Sequence, residues 1–177
     1  LNEKISDAVT SDMKVIKTAG NYFSPTANGR MQITVQTITP NDSAFVLAEH
    51  NWAPPDSFKT PNPDYKISPY HYWKVSGILP PLFDATGSIT YDGRAMTGGG
   101  GGYLDHQLLT SINKEDSIVL LYRKNASDDW RWFPYYTKTM GILTDKLGTI
   151  KIDSLLPGEY TIAMLKSGSI GISENEN

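Results

Sequence analysis

The sequence predicts an all-β protein: an antiparallel β-sandwich of the immunoglobulin or fibronectin-III type with roughly eight to ten strands. Two observations carry this prediction. Apolar and polar residues alternate along many short runs that are rich in β-branched and aromatic side chains, and clusters of Gly, Pro, Asn and Asp separate these runs. Helical spacing is confined to two short stretches, residues 5–16 and 103–112, and neither supports an α/β fold.

The predicted strands follow one another through the chain. In GRMQITVQTI, residues 29–38, the apolar side chains of Met31, Ile33 and Val35 lie on one face of a strand and polar side chains on the other. Further strands are predicted in DSAFVLAEHNW (42–52), HYWKVSGIL (71–79), ATGSITYDGR (85–94), DSIVLLYRK (116–124), WRWFPYYTKTM (130–140), GTIKIDSL (148–155) and EYTIAML (159–165).

The chain of 177 residues fits one sandwich domain, expected over residues 13–166. Residues 1–12 are expected to be a lead-in linker from an upstream domain, and the polar tail, residues 167–177, a disordered linker. The chain begins at Leu1 without an initiator Met, and we interpret it as a piece of a longer protein. Five prolines between Trp52 and Tyr70 predict a loop that holds one path.

Composition excludes several classes of function. A net charge of −3, a pI near 5.6 and the lack of a basic run argue against nucleic-acid binding. The absence of cysteine excludes disulfides, thiolate zinc sites and a cysteine nucleophile. No apolar stretch approaches the roughly 18 residues of a membrane span, so no membrane insertion is expected. The glycine run 98–102 lacks the Lys-Ser/Thr pair of a phosphate loop, and no Gly-x-Ser-x-Gly elbow is present.

Two of the three histidines stand two residues ahead of a tryptophan: His50 before Trp52, and His71 before Trp73. Residues two apart on a strand share a face, so each histidine is expected to lie beside its tryptophan. We expect Trp52 and Trp73 to be structural residues that anchor the core. The histidines are expected to form hydrogen bonds at partly buried positions near the sheet ends.

The sequence spacing of the histidine and acidic residues does not indicate a metal site or an acid–base catalytic site. If the two histidine runs paired, His106 or Glu49 would be the candidates to complete a zinc site, yet no spacing such as His-Glu-x-x-His is present. Several loop acids are available for a carboxylate pair, but no spacing singles one pair out, and Asp beside Gly or Pro is usually turn chemistry. We therefore predict no catalytic residue, no metal and no cofactor. The loop acids are Asp56, Asp64, Asp84, Asp92 and Asp105.

The segment DDWRWFPYY, residues 128–136, is the candidate ligand-binding element. On a strand, Trp130 and Trp132 share one face and Tyr135 lies on the other. An exposed aromatic row can stack on sugar rings, which predicts polysaccharide as a ligand. The alternative is that the tryptophans are core mass.

LLPGEYTIAM, residues 155–164, places a turn immediately before a strand that begins with Tyr160. This arrangement resembles the corner in which a tyrosine hydroxyl clamps the preceding connection of an immunoglobulin-like sandwich. Tyr160 is therefore predicted to be a structural residue.

The order of the motifs HYWKVSG (71–77), FDATGSITYDGR (83–94), SIVLLYRKNASDDWRWF (117–133) and LPGEYTIAM (156–164) resembles a β-sandwich module of exported Bacteroidetes proteins. With EHNWAPPD (49–56), it resembles more narrowly the region C-terminal to the catalytic domain of Bacteroidetes zinc aminopeptidases of the gluzincin, alanyl-aminopeptidase-like type. The resemblance covers residues 13–166. Asn51 stands where that family usually has a second His, and the gluzincin motif His-Glu-x-x-His is absent from this chain.

The tail IGISENEN, residues 170–177, resembles the linker that precedes the sorting domain of type IX secretion cargo. The resemblance implies a secreted or cell-surface protein, and a non-catalytic accessory domain that packs against or spaces an upstream catalytic domain and presents a C-terminal sorting signal. The alternative function is a carbohydrate-binding module, and an independent hydrolase using loop acids ranks last.

Overall fold

The computed structural model describes residues 8–23, 31–95, 103–110, 112–142 and 145–166, and within them the chain forms twelve β-strands and one 3-10 helix. The all-β prediction is confirmed. The strand number exceeds the predicted eight to ten because four strands have only two to four residues. The strands are β1 (Ala8–Ile16), β2 (Gly20–Tyr22), β3 (Gln32–Ile38), β4 (Ala44–Trp52), β5 (Tyr65–Ile67), β6 (Tyr72–Ile78), β7 (Phe83–Asp92), β8 (Ile118–Arg123), β9 (Arg131–Trp132), β10 (Tyr136–Thr139), β11 (Leu147–Ile152) and β12 (Gly158–Leu165), and the helix spans Ile112–Ser117.

The strands form two antiparallel sheets. The larger sheet has the order β1-β4-β6-β12-β8-β9, with β5 pairing the second half of β12, and the smaller sheet has the order β10-β11-β7-β3-β2. Apolar side chains from both sheets form one buried cluster, to which β3, β7 and β11 of the smaller sheet contribute Ile33, Ile89 and Ile150. Burying these side chains against the larger sheet drives the two layers together.

A second apolar cluster lies on the outer face of the larger sheet. Val119, Leu121 and Ala163 point away from the main core and pack with Trp130. The segment that connects β4 to β5, residues 53–64, covers this cluster with Phe58, and we call this segment the strap. Both faces of β8 and β12 are therefore buried, which explains why these strands are apolar almost throughout instead of alternating.

The first strand begins earlier than predicted. β1 pairs with β4 over nine residues, from Ala8 opposite Trp52 to Ile16 opposite Ala44, so residues 8–12 belong to the sandwich and not to a lead-in linker. The helical spacing in this stretch misleads because Ile16 turns into the core while Met13 and Val15 point outward, which is the period of a strand. Residues 1–7 and 167–177 lie outside the described residues, so a lead-in over 1–7 and a disordered tail stay predictions.

The predicted clamp by Tyr160 is present. Its hydroxyl donates to the backbone oxygen of Leu156 at 2.7 Å and accepts from the backbone nitrogen of Leu156 at 2.8 Å. The ring is completely buried, and burial raises the pKa of the Tyr160 phenol. One side chain thus satisfies both backbone groups of the turn that leads into β12.

Replacing Tyr160 by phenylalanine is expected to lower the free energy of unfolding by about 1–3 kcal/mol, because the N–H and C=O of Leu156 lose their shared partner inside the protein. Urea unfolding monitored by fluorescence measures the change. Tyr122→Phe is the matched control: its hydroxyl donates to the oxygen of Pro157 at 2.7 Å at an exposed position, where water can replace it. Equal losses in the two variants would contradict the clamp.

Candidate functional site

The pairing of β4 with β6 brings the two histidines together. His50 lies opposite Trp73 in this pairing. His71 comes just before β6, in the break between β5 and β6, both of which pair with β12. Pro69 interrupts the pairing in this break because proline has no N–H to donate to a ladder. The interruption places the His71 ring beside that of His50.

Four side chains form one continuous hydrogen-bonded chain. The indole Nε1 of Trp52 lies 3.0 Å from Nδ1 of His50, and Nε2 of His50 lies 2.9 Å from Nδ1 of His71. Nε2 of His71 lies 2.7 Å from Oδ1 of Asp105. The second carboxylate oxygen, Oδ2, accepts the backbone N–H of Asp92 at 2.8 Å. We call Trp52, His50, His71 and Asp105 the histidine relay.

Donor chemistry gives the histidine relay a single direction. An indole N–H can only donate, so Nδ1 of His50 accepts it and carries no proton. A neutral His50 then has its proton on Nε2 and donates to Nδ1 of His71. His71 therefore has its proton on Nε2 and donates to Asp105. Each of the three links contains one hydrogen, so every N–H of the relay has an acceptor and every ring-nitrogen lone pair has a donor.

The relay is buried, which corrects the prediction of partly buried histidines, but both histidines lie near strand ends as predicted: His50 is two residues before the end of β4, and His71 directly precedes β6. His50 and Asp105 are each 1% exposed, and His71 is 2% exposed. Trp73 lies in the core, as predicted, with its ring stacked on His50 at 5.0 Å between centroids. Trp52 is only partly buried, at the end of β4, so it terminates the relay instead of anchoring the core.

The relay does not offer a metal site. All four ring nitrogens of His50 and His71 are engaged in the contacts already described, so no lone pair remains for a cation. The other two candidates lie elsewhere: Glu49 faces Lys74 at 3.7 Å, and Nδ1 of His106 faces the backbone oxygen of Gly93 at 3.4 Å. Among the described residues, no group of three or more His, Asp or Glu side chains is arranged to hold a metal ion.

A ladder of alternating charges crosses the outer face of the larger sheet. The pairing registers place Glu49 beside Lys74, Lys74 beside Glu159, and Glu159 beside Arg123. Arg123 then reaches Asp56 in the strap, with Nη2 2.9 Å from Oδ2. Opposite charges at directly paired positions stabilise the neighbouring strands. We call this row the charge ladder.

Arg123 is the buried member of the charge ladder. Its Nε donates to Oε2 of Glu159 at 2.6 Å, and its guanidinium lies 4.4 Å above the ring of Trp130. The Trp130 indole donates to the backbone oxygen of Asp56 at 2.9 Å. The contacts of Arg123 and Trp130 with Asp56 hold the strap on the sheet.

Asp129 holds the middle of the strap. Its carboxylate accepts the backbone N–H groups of Lys59 at 3.0 Å and Thr60 at 2.9 Å, and that of Trp130 at 2.9 Å. The hydrogen bond from Thr60, followed by those from Lys59 and Trp130, lowers the pKa of Asp129 below its ordinary value. The proline-rich segment is thus held along one path by residues far away in sequence.

The aromatic residues of the candidate ligand-binding element differ in exposure: one is buried and two are exposed. Trp130 is 3% exposed and packs under the strap, so the expected exposed row of Trp130 and Trp132 is not formed. Trp132 lies on β9 at 48% exposure, and Tyr135 is 61% exposed. Asp129, next to Trp130, has its carboxylate oxygens turned to backbone N–H groups.

The 3-10 helix carries a buried carboxylate, that of Glu115. Glu115 accepts a hydrogen bond from the Tyr91 hydroxyl at 3.4 Å through Oε2, while its Oε1 has no hydrogen-bond partner among the residues that the structure describes. Burial raises the pKa of Glu115 above its usual 4.5, and the hydrogen bond from the Lys146 backbone opposes this. Lys138 fixes the helix by donating to the carbonyls of Glu115 and Ile118, each at 2.9 Å.

Replacing Glu115 by glutamine is expected to stabilise the protein at pH 7 and to have a smaller effect toward pH 4. The reason is that the folded carboxyl ionises at a higher pH than the unfolded one, so wild-type stability falls as the pH rises through the folded pKa. Glutamine does not ionise, so its side chain contributes no such pH dependence to the stability. Urea unfolding of both proteins between pH 4 and pH 7 tests this, and a stability difference that does not change with pH would contradict it.

The chain was compared with protein-family models, with curated proteins and with solved structures, and no match was found in any of the three. Across the described residues, no helix has the length and apolar character needed to cross a membrane. The fold class, an all-β sandwich of two antiparallel sheets, therefore rests on the chain's own pairing pattern.

Sequence reasoning found the two histidines but not their partner. Asp105 stood among five loop acids, and no spacing distinguished it, because its contact with His71 joins residues 34 positions apart. Arg123 was not singled out either. The one available signal was a charged residue at the end of the apolar run IVLLYR, since a charge beside a strand buried on both faces requires a partner.

Proposed function

We propose that this chain is a non-catalytic accessory β-sandwich domain of an exported multidomain enzyme, a metallopeptidase of the zinc aminopeptidase type. Its role is to pack against or space an upstream catalytic domain and to present a C-terminal sorting signal. The family assignment rests on the resemblance in residues 13–166. The absence of catalysis has separate support from the geometry of the buried polar groups.

The observation that carries the non-catalytic role is the closed state of the histidine relay. A general base needs a free lone pair within reach of substrate, and a nucleophile needs such a base beside it. The ring nitrogens of His50 and His71 are engaged within the relay, and both rings lie behind the sheet surface. In the charge ladder, the Arg123 guanidinium is held by the carboxylates of Glu159 and Asp56.

The proposal is tested with the isolated chain and with the full polypeptide that contains it. The isolated chain is expected to release no product from aminoacyl-p-nitroanilides, esters or polysaccharides. Deleting residues 8–166 from the full polypeptide is expected to reduce the yield of exported enzyme without changing the turnover of the enzyme that remains. Turnover by the isolated chain that disappears in His71→Ala would overturn the proposal.

A carbohydrate-binding module is the second candidate, favoured by the exposure of Trp132 and Tyr135. A solvent-facing indole can stack on a sugar ring. If this function holds, Trp132→Ala is expected to abolish retention of the chain on one member of a panel of insoluble polysaccharides. Tyr103→Ala, at another exposed aromatic residue, is the control for non-specific loss. No retention of the wild-type chain on any matrix removes the second candidate.

A further inference from the structure

Four exposed apolar side chains lie together on the outer face of the larger sheet. The registers place Val15 opposite Phe45, and Phe45 opposite Ile78, so these three form one cross-strand row over β1, β4 and β6. Met13 lies in the next row, opposite the partly buried Leu47. Ile78 is 72% exposed and Met13 65%. We call Met13, Val15, Phe45 and Ile78 the apolar patch.

The apolar patch has a defined polar border. The row after that of Met13 and Leu47 is the start of the charge ladder, where Glu49 lies opposite Lys74. An apolar centre with a charged border is the usual layout of an interaction surface. Scattered single exposed apolar residues would need no such explanation, but a cross-strand row does.

The edge of β1 is protected against addition of another strand. Asp12 and Lys14 lie on the same side of β1 as the buried Ile16 and form an ion pair at 3.1 Å. Charged side chains on the inward face of an edge strand oppose edge-to-edge pairing. A partner is therefore expected on the face of the sheet, over the apolar patch, and not along its edge.

The size of the apolar patch selects the kind of partner. Four side chains exposed to this degree present on the order of 400 Å², within the range of the largest patches on single domains. Two copies of the chain packed face to face would bury on the order of 800 Å² in total, below the roughly 1,200–2,000 Å² of stable complexes. Interfaces between domains of one chain are stable at about 600–1,500 Å² because the tether raises the effective concentration.

From the cross-strand row, its charged border, the protected edge and the small area, we infer that the apolar patch docks an apolar surface of a domain in the same polypeptide. The inference rests on the proposed accessory function and specifies its contact surface. β1 begins at Ala8, opposite Trp52, and reaches the patch at Met13 and Val15. Met13 is about 17 Å along the strand from Ala8, which is less than the width of a domain, so a domain joined upstream of Ala8 can reach the patch. This upstream domain is the proposed partner of the apolar patch.

The test compares hydrogen exchange in the isolated chain and in the full polypeptide. Backbone amides of residues 13–15, 45–47 and 76–78 are expected to exchange at least fivefold more slowly in the full polypeptide. The double variant Phe45→Ser/Ile78→Ser is expected to lose this protection and to release the domain faster under limited proteolysis. Ile142→Ser is the matched control, because Ile142 is exposed to 70%, almost as much as Ile78, but lies outside the patch.

Each outcome decides the inference. Equal exchange in the two proteins overturns docking, and the chain then remains a spacer within the proposed function. Dimerisation of the isolated chain in light scattering that Phe45→Ser/Ile78→Ser abolishes also overturns it, because the occupant is then a second copy. A full polypeptide that contains no other domain overturns the proposed function together with the inference. Unchanged melting of the isolated double variant establishes that lost protection reflects lost docking and not unfolding.

Discussion

Replacing Asp105 by asparagine is expected to lower the free energy of unfolding by about 2–4 kcal/mol. Both carboxylate oxygens of Asp105 accept from nitrogens, Oδ1 from Nε2 of His71 and Oδ2 from the backbone N–H of Asp92. An amide has one oxygen, so its NH₂ group must face one of the two donors. The loss should appear in urea unfolding without a change in the denaturant slope.

A change of tautomer cannot repair this variant. If His71 turned its lone pair to the new NH₂ group, it would have to donate to His50, and His50 would have to donate towards Trp52. The Trp52 indole can only donate, so the clash of two donors moves along the relay and stops there. Adding Trp52→Phe to the Asp105 variant removes that donor and is expected to cost less than the sum of the single changes.

The control for the Asp105 variant is Asp84→Asn, at an exposed position of β7, which is expected to change stability by less than about 0.5 kcal/mol. Additive losses from Trp52→Phe and Asp105→Asn would contradict a directional relay and indicate separate hydrogen bonds instead.

Replacing Gly77 by alanine is expected to lower the free energy of unfolding by about 3–5 kcal/mol or to prevent folding. Gly77 has φ of +147°, and a Cβ atom at this position would lie 1.8 Å from the backbone oxygen of Phe45. That oxygen belongs to the neighbouring strand β4, so relief requires the two strands to separate. Thermal unfolding followed by far-UV circular dichroism measures the loss.

Strain in Gly77→Ala has two causes, the positive φ and the clash with the Phe45 oxygen, and Gly20→Ala separates them. Gly20 has a similar φ of +155°, but the nearest described atoms to a Cβ there belong to the Tyr22 side chain, at 3.6 Å, which is ordinary contact. This variant is expected to show the cost of the backbone conformation alone, about 1–2 kcal/mol. If Gly77→Ala costs no more than Gly20→Ala, the close approach of β6 to β4 does not limit the fold.

Both large effects arise in the same pair of strands, at its two ends. Gly77 allows β6 to approach β4 beside the apolar patch, and the histidine relay joins the other end of the same strand pair to the loop that contains Asp105. The pair β4 and β6 thus connects the buried polar network to the surface proposed for docking.

Local sequence patterns predicted the structure correctly where it depends on residues close together in the chain. Alternation in MQITVQ predicted the inward face of β3, and the turn before Tyr160 predicted the clamp, because donor and acceptor are only four residues apart. The same reasoning failed for β1, because apolar residues there are spaced three and four apart, as in a helix, although the segment is a strand. The pairing with β4 determines its conformation, and the paired residues are between 44 positions apart (Ala8 and Trp52) and 28 positions apart (Ile16 and Ala44).

The candidate site could not be predicted in full, because it is formed by contacts between residues far apart in the sequence. The sequence alone established an all-β chain with a tyrosine clamp before its last strand, because alternation and turn chemistry act between near neighbours. Only the tertiary structure decided that His50 and His71 bond to each other and to Asp105, that Trp130 is buried while Trp132 is exposed, and that Val15, Phe45 and Ile78 form one surface. Strand register brings these residues together, and register depends on the packing of whole sheets, which no local pattern encodes.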